Sequence, residues 1–213
     1  MSSYTYTSSN CAEIKIIHQN IRSMRKNFDE FVANLKTSLK KPSFVFLSEV
    51  WINSNELFLY NLDDFVLTGA CNNTYRSGGV VAYYDSELNC SSSAYNLSSA
   101  DIVKLEWKLD KEVYILLGIY RLQTTPINIF LHEISEIIGN IKSKNLFIIG
   151  DINIDILNLP SESDDYMFVM SSFGLEALID TPTRVTFLFH VLIIFLHVSN
   201  VIIFHAFDLP LLT

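Results

Sequence analysis

Hydrophobic and polar positions follow two periods along this chain, and these periods predict strands and helices in turn. Apolar or alternating runs predict strands at 13–17, 44–47, 64–67, 79–84, 101–109, 113–120 and 146–149. Apolar spacing of three and four predicts amphipathic helices at 24–39 and 127–141, and an acidic start predicts another at 164–173. We interpret the serine- and asparagine-rich segment 89–99 as an exposed connection. The repeated strand-helix-strand order indicates an α/β fold.

Polar side chains follow several predicted strands at the point where each strand ends. After the buried run 146–149 comes Gly150, and then Asp151 and Asn153 alternate onto one face. This acid-amide pair suits phosphate-ester hydrolysis, because the acid can take a proton from water while the amide holds a phosphoryl oxygen. An ordinary strand-to-turn junction with local hydrogen bonds is the alternative that this stretch leaves open.

The composition fits one folded domain of 213 residues, with 49% hydrophobic and 18% charged residues. A formal charge of −8 argues against holding nucleic acid by general electrostatic attraction, although it allows cations or metal ions placed locally. Cys11, Cys71 and Cys90 show no metal-ligand spacing, so we expect reduced thiols in an intracellular protein. The polar start, 1–12, has no signal-peptide pattern, and we interpret it as an extension.

Six short motifs together resemble the endonuclease/exonuclease/phosphatase superfamily, above all the apurinic-endonuclease-like domain of non-LTR retrotransposons. They are Gln19-Asn20-Ile21-Arg22-Ser23, Leu47-Ser48-Glu49, Arg76-Ser77-Gly78-Gly79-Val80, Gly118-Ile119-Tyr120-Arg121, Gly150-Asp151-Ile152-Asn153 and Thr181-Pro182-Thr183-Arg184. Each motif is weak alone, but six in the right order are specific. The likeness places one domain at 13–186.

This resemblance implies a four-layer α-β-β-α sandwich of two mixed sheets with a divalent-metal site at one rim. Glu49 and Asn20 would then lie at an Mg²⁺ or Mn²⁺ site, with Glu49 as a direct ligand. Tyr120 would contact the scissile phosphate, Asp151 would orient and deprotonate water, and Asn153 would hold the phosphate or the water. A hard cation with one or two carboxylates and several waters suits such a site.

The resemblance also implies DNA as the substrate, with no stable protein partner. Arg76 and Arg184 are candidate contacts to the nucleic-acid backbone, and solvated or structural arginines are the alternative. A phosphomonoesterase or lipid phosphodiesterase of the same fold shares these motifs, so that alternative function stays open.

The segment after Thr186 departs from the family pattern. Relatives continue with a Ser-Cys-Ile-Asp-His-Ile-like strand and later an Asp-His pair, and neither occurs here. One codon choice for 189–195 contains the missing strand in a shifted frame, so we hypothesise a frame-shifted, truncated and therefore impaired domain. The apolar run 187–207 is long enough for a bilayer, which takes about 20 residues, but its histidines and lack of basic flanks argue against a span. A membrane-tethered, non-enzymatic remnant is the remaining alternative.

Overall fold

Two four-stranded mixed sheets lie face to face in this chain, with helices on their outer surfaces. The structure is a computed structural model and describes residues 14–38, 40–71, 78–109, 111–154 and 160–177. The strands are β1 Ile16–Asn20, β2 Phe44–Ser48, β3 Phe65–Ala70, β4 Val80–Asp85, β5 Cys90–Asn96, β6 Ala100–Leu109, β7 Glu112–Arg121 and β8 Asn145–Asp151. The helices are α1 Met24–Lys36, α2 Ile127–Gly139 and α3 Pro160–Ser172, with a 3₁₀ helix at Ser54–Tyr60.

Each sheet combines parallel and antiparallel pairs. The first sheet has the order β1-β2-β4-β3, and the second has the order β5-β6-β7-β8. Helix α1 connects the parallel pair β1 and β2, and helix α2 connects the parallel pair β7 and β8. These two strand-helix-strand units are the ones that the hydrophobic periods predict.

Three apolar clusters hold the layers together. The central cluster joins the inner faces of both sheets, where Phe46 of β2 packs directly over Gly118 of β7. A second cluster packs α2 and α3 on the outer face of the second sheet, and a third packs α1 and the 3₁₀ helix on the first. This layering confirms the predicted α/β sandwich of two mixed sheets.

The prediction of a connection at 89–99 is wrong, because β5 occupies Cys90–Asn96 and pairs antiparallel with β6. Its sequence gives no strand signal because it is an edge strand in the described sheet, and most of its side chains face solvent. Smaller differences concern the ends of elements. Strand β1 lies a few residues later than predicted, and α1 and α2 end earlier, at Lys36 and Gly139.

Several predictions fall outside the part of the chain that the structure describes. These are the extension 1–12, the segment 181–213, and the loop 72–77, so the domain limits stay predictions. Cys71 and Cys90 are both free thiols. Within the described ranges, no helix has the length and apolar character needed to cross a membrane.

Candidate active site

The carboxyl ends of the two parallel strand pairs carry the predicted site residues. In the first sheet, Asn20 ends β1 and lies in register with Ser48, the residue before Glu49. In the second sheet, Tyr120 near the end of β7 lies in register with Asp151 at the end of β8. Since parallel neighbours end at the same edge of a sheet, each pair brings two polar positions together.

The side chain of Asn20 joins the two sheets at this edge. Its Nδ2 atom donates to Glu49 Oε1 over 2.7 Å and to Asp151 Oδ2 over 2.9 Å. Its Oδ1 atom accepts the backbone N–H of Arg22 over 3.2 Å. Carboxylates accept and backbone N–H groups donate, so the orientation of the Asn20 amide is fixed. Two carboxylates therefore converge on one amide nitrogen.

The backbone around these side chains adopts left-handed conformations that most residues avoid. Glu49 has a φ of 52° and Asn153 a φ of 51°. Such a conformation costs about 1 to 3 kcal/mol for a non-glycine residue, and it persists only where the surrounding structure enforces it. Backbone bonds enforce it at Glu49, whose carbonyl accepts Ser23 N over 2.8 Å and whose neighbour Val50 accepts Met24 N over 2.9 Å.

The backbone conformation at position 150 explains why a glycine precedes Asp151. The φ of Gly150 is 146°, and a Cβ atom there would lie 1.9 Å from the carbonyl oxygen of Ile119 on β7. Only glycine can therefore occupy this position without moving the backbone. The close approach of β8 to β7 sets Asp151 beside Tyr120.

Asp151 and Asn153 form a local turn, yet the contacts of Asp151 reach beyond it. The backbone N–H of Asn153 donates to Asp151 Oδ1 over 3.3 Å, as the alternative interpretation of this stretch expects. The other carboxylate oxygen accepts Asn20 from the opposite sheet. Asp151 is fully buried, with 0% of its surface exposed. A buried carboxylate with bonds from both sheets is more than a local turn residue.

Tyr120 is buried beside the carboxylates. Its ring packs against Gly78, where a Cβ atom would come within 3.3 Å of Cε1. Burial, with the negative charges of Glu49 and Asp151, raises the pKa of the Tyr120 hydroxyl well above its usual value, while a hydrogen bond with Asn153 opposes this effect. The phenol is therefore neutral at physiological pH, and its O–H is a hydrogen-bond donor.

Arg121 has a structural role that the sequence did not indicate. Its buried guanidinium donates from Nη1 to the carbonyl of Asn153 over 3.0 Å and from Nη2 to the carbonyl of Thr125 over 2.8 Å. The guanidinium also lies 5.8 Å from the ring centre of Phe130 on α2. Arg121 thus ties the turn after β8 to the loop after β7. Alternation along β7 predicts that Arg121 lies on the face opposite Tyr120, toward α2, and this was the one available signal for its position.

The donor atoms at this edge fit a hard divalent cation. Glu49 and Asp151 offer carboxylate oxygens, and Mg²⁺ commonly takes one or two carboxylates while it keeps several waters. Within the described residues, no group of three or more histidine, cysteine or acidic side chains is placed to hold a metal ion, so a cation here would need water molecules beside these two carboxylates. The residues present therefore suit Mg²⁺ or Mn²⁺ better than zinc.

Solved structures show which fold this arrangement belongs to. The endonuclease domain of TRAS1, a telomere-specific non-LTR retrotransposon, superposes with a TM-score of 0.66 and 16% identity over 84% of this chain and 83% of that chain. The chain has the endonuclease/exonuclease/phosphatase fold. No protein-family model matches the chain, and no curated protein matches it.

Two further structures share the endonuclease/exonuclease/phosphatase fold. An AP endonuclease from Archaeoglobus fulgidus has a TM-score of 0.59 and 11% identity over 84% of this chain and 85% of that chain. The Neisseria 3′ phosphatase NExo, solved with a product DNA hairpin, has a TM-score of 0.56 and 11% identity over 76% and 72%. Identities this low describe the fold and leave the chemistry to the residues of the site.

Five predicted site residues lie together on this fold, namely Asn20, Glu49, Tyr120, Asp151 and Asn153. Their catalytic roles stay predictions. Arg76 and Arg184 lie outside the described residues, and so do their predicted DNA contacts. Sequence reasoning missed Gln123, whose Nε2 donates to Asn153 Oδ1 over 2.8 Å. An exposed loop glutamine carries no pattern that could have identified it.

Proposed function

We propose that this chain is a metal-dependent phosphodiester hydrolase domain that nicks DNA inside the cell, as the resemblance to retrotransposon endonucleases implies. The observation that supports it most directly is the Asn20 amide, which bridges Glu49 and Asp151 from opposite sheets. A cluster of two carboxylates, an amide and a neutral phenol at one sheet edge suits hydrolysis of a phosphate ester. The similarity to the TRAS1 endonuclease domain favours DNA as the substrate.

Each residue has a specific part in this proposal. Glu49 would hold Mg²⁺ or Mn²⁺ through a carboxylate oxygen and Asn20 through Oδ1, which has a second lone pair beside the one that accepts the Arg22 N–H. The cation would neutralise charge on the phosphate when bound. The Asp151 carboxylate would take the proton of the attacking water, as a general base. The neutral Tyr120 hydroxyl and the Asn153 amide would donate hydrogen bonds to the phosphoryl oxygens as negative charge develops there.

We further propose that the polypeptide of this sequence turns over slowly. Residues 185–207 contain no acidic residue and therefore lack the acid-bearing strand that follows the Thr-Arg segment in relatives. Removal of one acid-base or electrostatic group from a hydrolase costs about a hundredfold or more in rate. The missing acid therefore predicts a loss of about a hundredfold or more in rate.

A plasmid-nicking assay with Mg²⁺ or Mn²⁺ tests both parts of the proposal. Asp151→Asn removes the base, and Asp164→Asn is a matched control on the exposed surface of α3. Slow, metal-dependent nicking that disappears in Asp151→Asn alone supports the proposal. Nicking that survives Asp151→Asn contradicts the assigned base, and fast nicking that needs Asp151 contradicts the impairment.

Metal binding gives a readout that does not depend on turnover. We expect Mn²⁺ to raise the melting temperature of the wild-type chain and to do so much less in Glu49→Gln. An equal rise in both proteins would remove Glu49 from the metal site.

A 3′-phosphatase activity is the second candidate, and the similarity to the Neisseria 3′ phosphatase favours it. This activity would use the same residues of the chain as the nicking activity and would differ only in the phosphate that is attacked. A DNA strand with a terminal 3′ phosphate, compared with an intact duplex, separates the two activities. Release of inorganic phosphate without nicking would favour the phosphatase.

A further inference from the structure

Two opposed hydrogen bonds fix the side chain of Asn153. Its Nδ2 donates to the carbonyl of Arg121 over 2.6 Å, and its Oδ1 accepts Gln123 Nε2 over 2.8 Å. A carbonyl oxygen only accepts, so the nitrogen of the Asn153 amide must face Arg121, and its oxygen must face Gln123. The two bonds therefore hold both ends of this amide.

The two partners of Asn153 come from the end of β7 and the loop that follows it. This loop is itself held, since Arg121 Nη2 donates to the carbonyl of Thr125 over 2.8 Å and Nη1 donates to the carbonyl of Asn153 over 3.0 Å. Gln123 is exposed at its surface. The hydrogen bonds of Arg121 that hold this loop, and with it Gln123, thus also hold the backbone of Asn153.

These bonds leave unequal hydrogen-bonding capacity on the two ends of the amide. Nδ2 has two hydrogens: the carbonyl of Arg121 accepts one, and the Tyr120 hydroxyl, which also shares a hydrogen bond with Asn153, lies on the side of the other, where a phosphoryl oxygen of the substrate would be its second acceptor. Oδ1 is held by Gln123. Asn153 therefore faces the site as a donor rather than as an acceptor.

We infer that Gln123 is a positioning residue that holds Asn153 Oδ1 and so directs the Asn153 N–H to a phosphoryl oxygen of the substrate. This inference rests on the proposed function. It also decides between two roles for Asn153, because a donor suits a phosphoryl oxygen and an acceptor suits the attacking water. Gln123 acts only through Asn153 and makes no contact with the substrate.

A double-mutant cycle tests this inference, with Gln123→Leu, Asn153→Ala and the combined variant. The readouts are the affinity for nicked duplex DNA by fluorescence anisotropy, the nicking rate and the melting temperature. We expect Gln123→Leu to weaken DNA binding or slow nicking about tenfold, the value of one lost hydrogen bond, without a change in melting temperature. In the Asn153→Ala background, the same change should have no effect.

A charge-matched pair of variants sharpens the test. Gln123→Glu keeps the shape but cannot donate to Asn153 Oδ1, while Thr124→Glu adds the same charge at the next exposed position. If Gln123→Glu loses more DNA affinity or nicking rate than Thr124→Glu, the excess comes from the misdirected Asn153 amide rather than from electrostatic repulsion of DNA. Equal losses in these two variants would overturn the inference.

The outcomes separate the inference from the function on which it rests. If Asn153→Ala weakens binding or nicking but Gln123→Leu does not, the positioning role is wrong and the proposed function stands. If the effects of the two single variants add, Gln123 does not act through Asn153. If Asn153→Ala changes neither binding nor rate, Asn153 does not contact the phosphate and the inference fails, while the Asp151→Asn nicking assay still decides the proposed function.

Discussion

Asn20 and Asp151 stand 131 positions apart and in different sheets, and Asn20 Nδ2 donates to Asp151 Oδ2 over 2.9 Å. The site therefore exists only when the two sheets have packed together. A neutral amide at this point separates the negative charges of Asp151 and Glu49, since both carboxylates bind the same nitrogen. We therefore expect the amide to stabilise the fold, apart from its proposed role in metal binding.

Asn20→Asp should destabilise the chain in the absence of metal. The change removes the donor that both carboxylates use and adds a third negative charge, so we expect a loss of about 1 to 3 kcal/mol in the free energy of unfolding. Mn²⁺ should restore more of this loss than it adds to the wild-type chain. Urea denaturation with and without Mn²⁺ measures both effects.

Asn55→Asp is the control for this change, because it adds the same charge at an exposed position of the 3₁₀ helix. We expect little change in stability there. If both variants lose equal stability and respond equally to Mn²⁺, the Asn20 bridge has no special role.

The predictable part of this fold is the part in which hydrophobic period and burial agree. Strands β2 and β8 are apolar runs that end in carboxylates, so both the strands and the positions of Glu49 and Asp151 followed from the pattern. Strand β5 was not predicted, because an edge strand needs no apolar pattern. The hydrogen bond from Asn20 to Asp151 was not predicted either, since a contact between two sheets depends on packing that local sequence does not encode.

Gly118→Ala should be among the most damaging small substitutions in the core. A Cβ atom at Gly118 would lie 2.0 Å from Cδ1 of Phe46, at the point where the two sheets meet. We expect a loss of about 1 to 3 kcal/mol from overpacking. Phe46→Leu in the same chain should relieve the clash, so the two changes together should cost less than the sum of each alone.

Gly139→Ala is the matched control, because a Cβ atom there would have no heavy atom of the described residues within 4 Å, apart from its chain neighbours and the backbone of its own helix. Alanine favours the helix, so this change should leave stability unchanged or raise it slightly. Chemical denaturation of the four variants measures the differences. Strict additivity of Gly118→Ala and Phe46→Leu would contradict a direct clash between these positions.

Glu133 should make the stability of the chain depend on pH in the acid range. Burial alone raises the pKa of Glu133, but hydrogen bonds from Ser98 and Ser99 outweigh burial and hold the pKa below its usual 4.5. A lowered pKa means that the ionised group stabilises the fold above pH 4.5, and that this contribution is lost as the pH falls through the folded value. Glu133→Gln should therefore lower stability at neutral pH and flatten its decline in acid.

The measurement for Glu133 is a series of urea denaturations from neutral to acid pH. Glu136→Gln, an exposed change on the same helix, is the control and should keep the wild-type pH dependence. A Glu133→Gln curve parallel to that of the wild-type chain would show that the serine bonds do not favour the carboxylate.

We expect Arg22 to contribute to DNA binding. Within the described part of the chain, Arg25 forms an ion pair with Glu56 and Arg121 binds carbonyl groups, whereas the guanidinium of the half-buried Arg22 has no such contact with a described residue. Arg22 adjoins the site, because its backbone N–H binds Asn20 Oδ1. A cation whose side-chain donors bind no group of the described residues, at this place, suits a phosphate of the substrate strand.

Arg22→Gln should therefore weaken DNA binding and make its salt dependence shallower by about one unit of slope, the value for one lost phosphate contact. Lys144→Gln removes the same charge just before β8, at the end of the strand opposite Asp151, and should leave that slope unchanged. Fluorescence anisotropy over a range of salt concentrations measures the slope directly. An Arg22→Gln slope equal to that of the wild-type chain would mean that Arg22 does not touch the phosphate backbone, because a lost ionic contact must release fewer counterions.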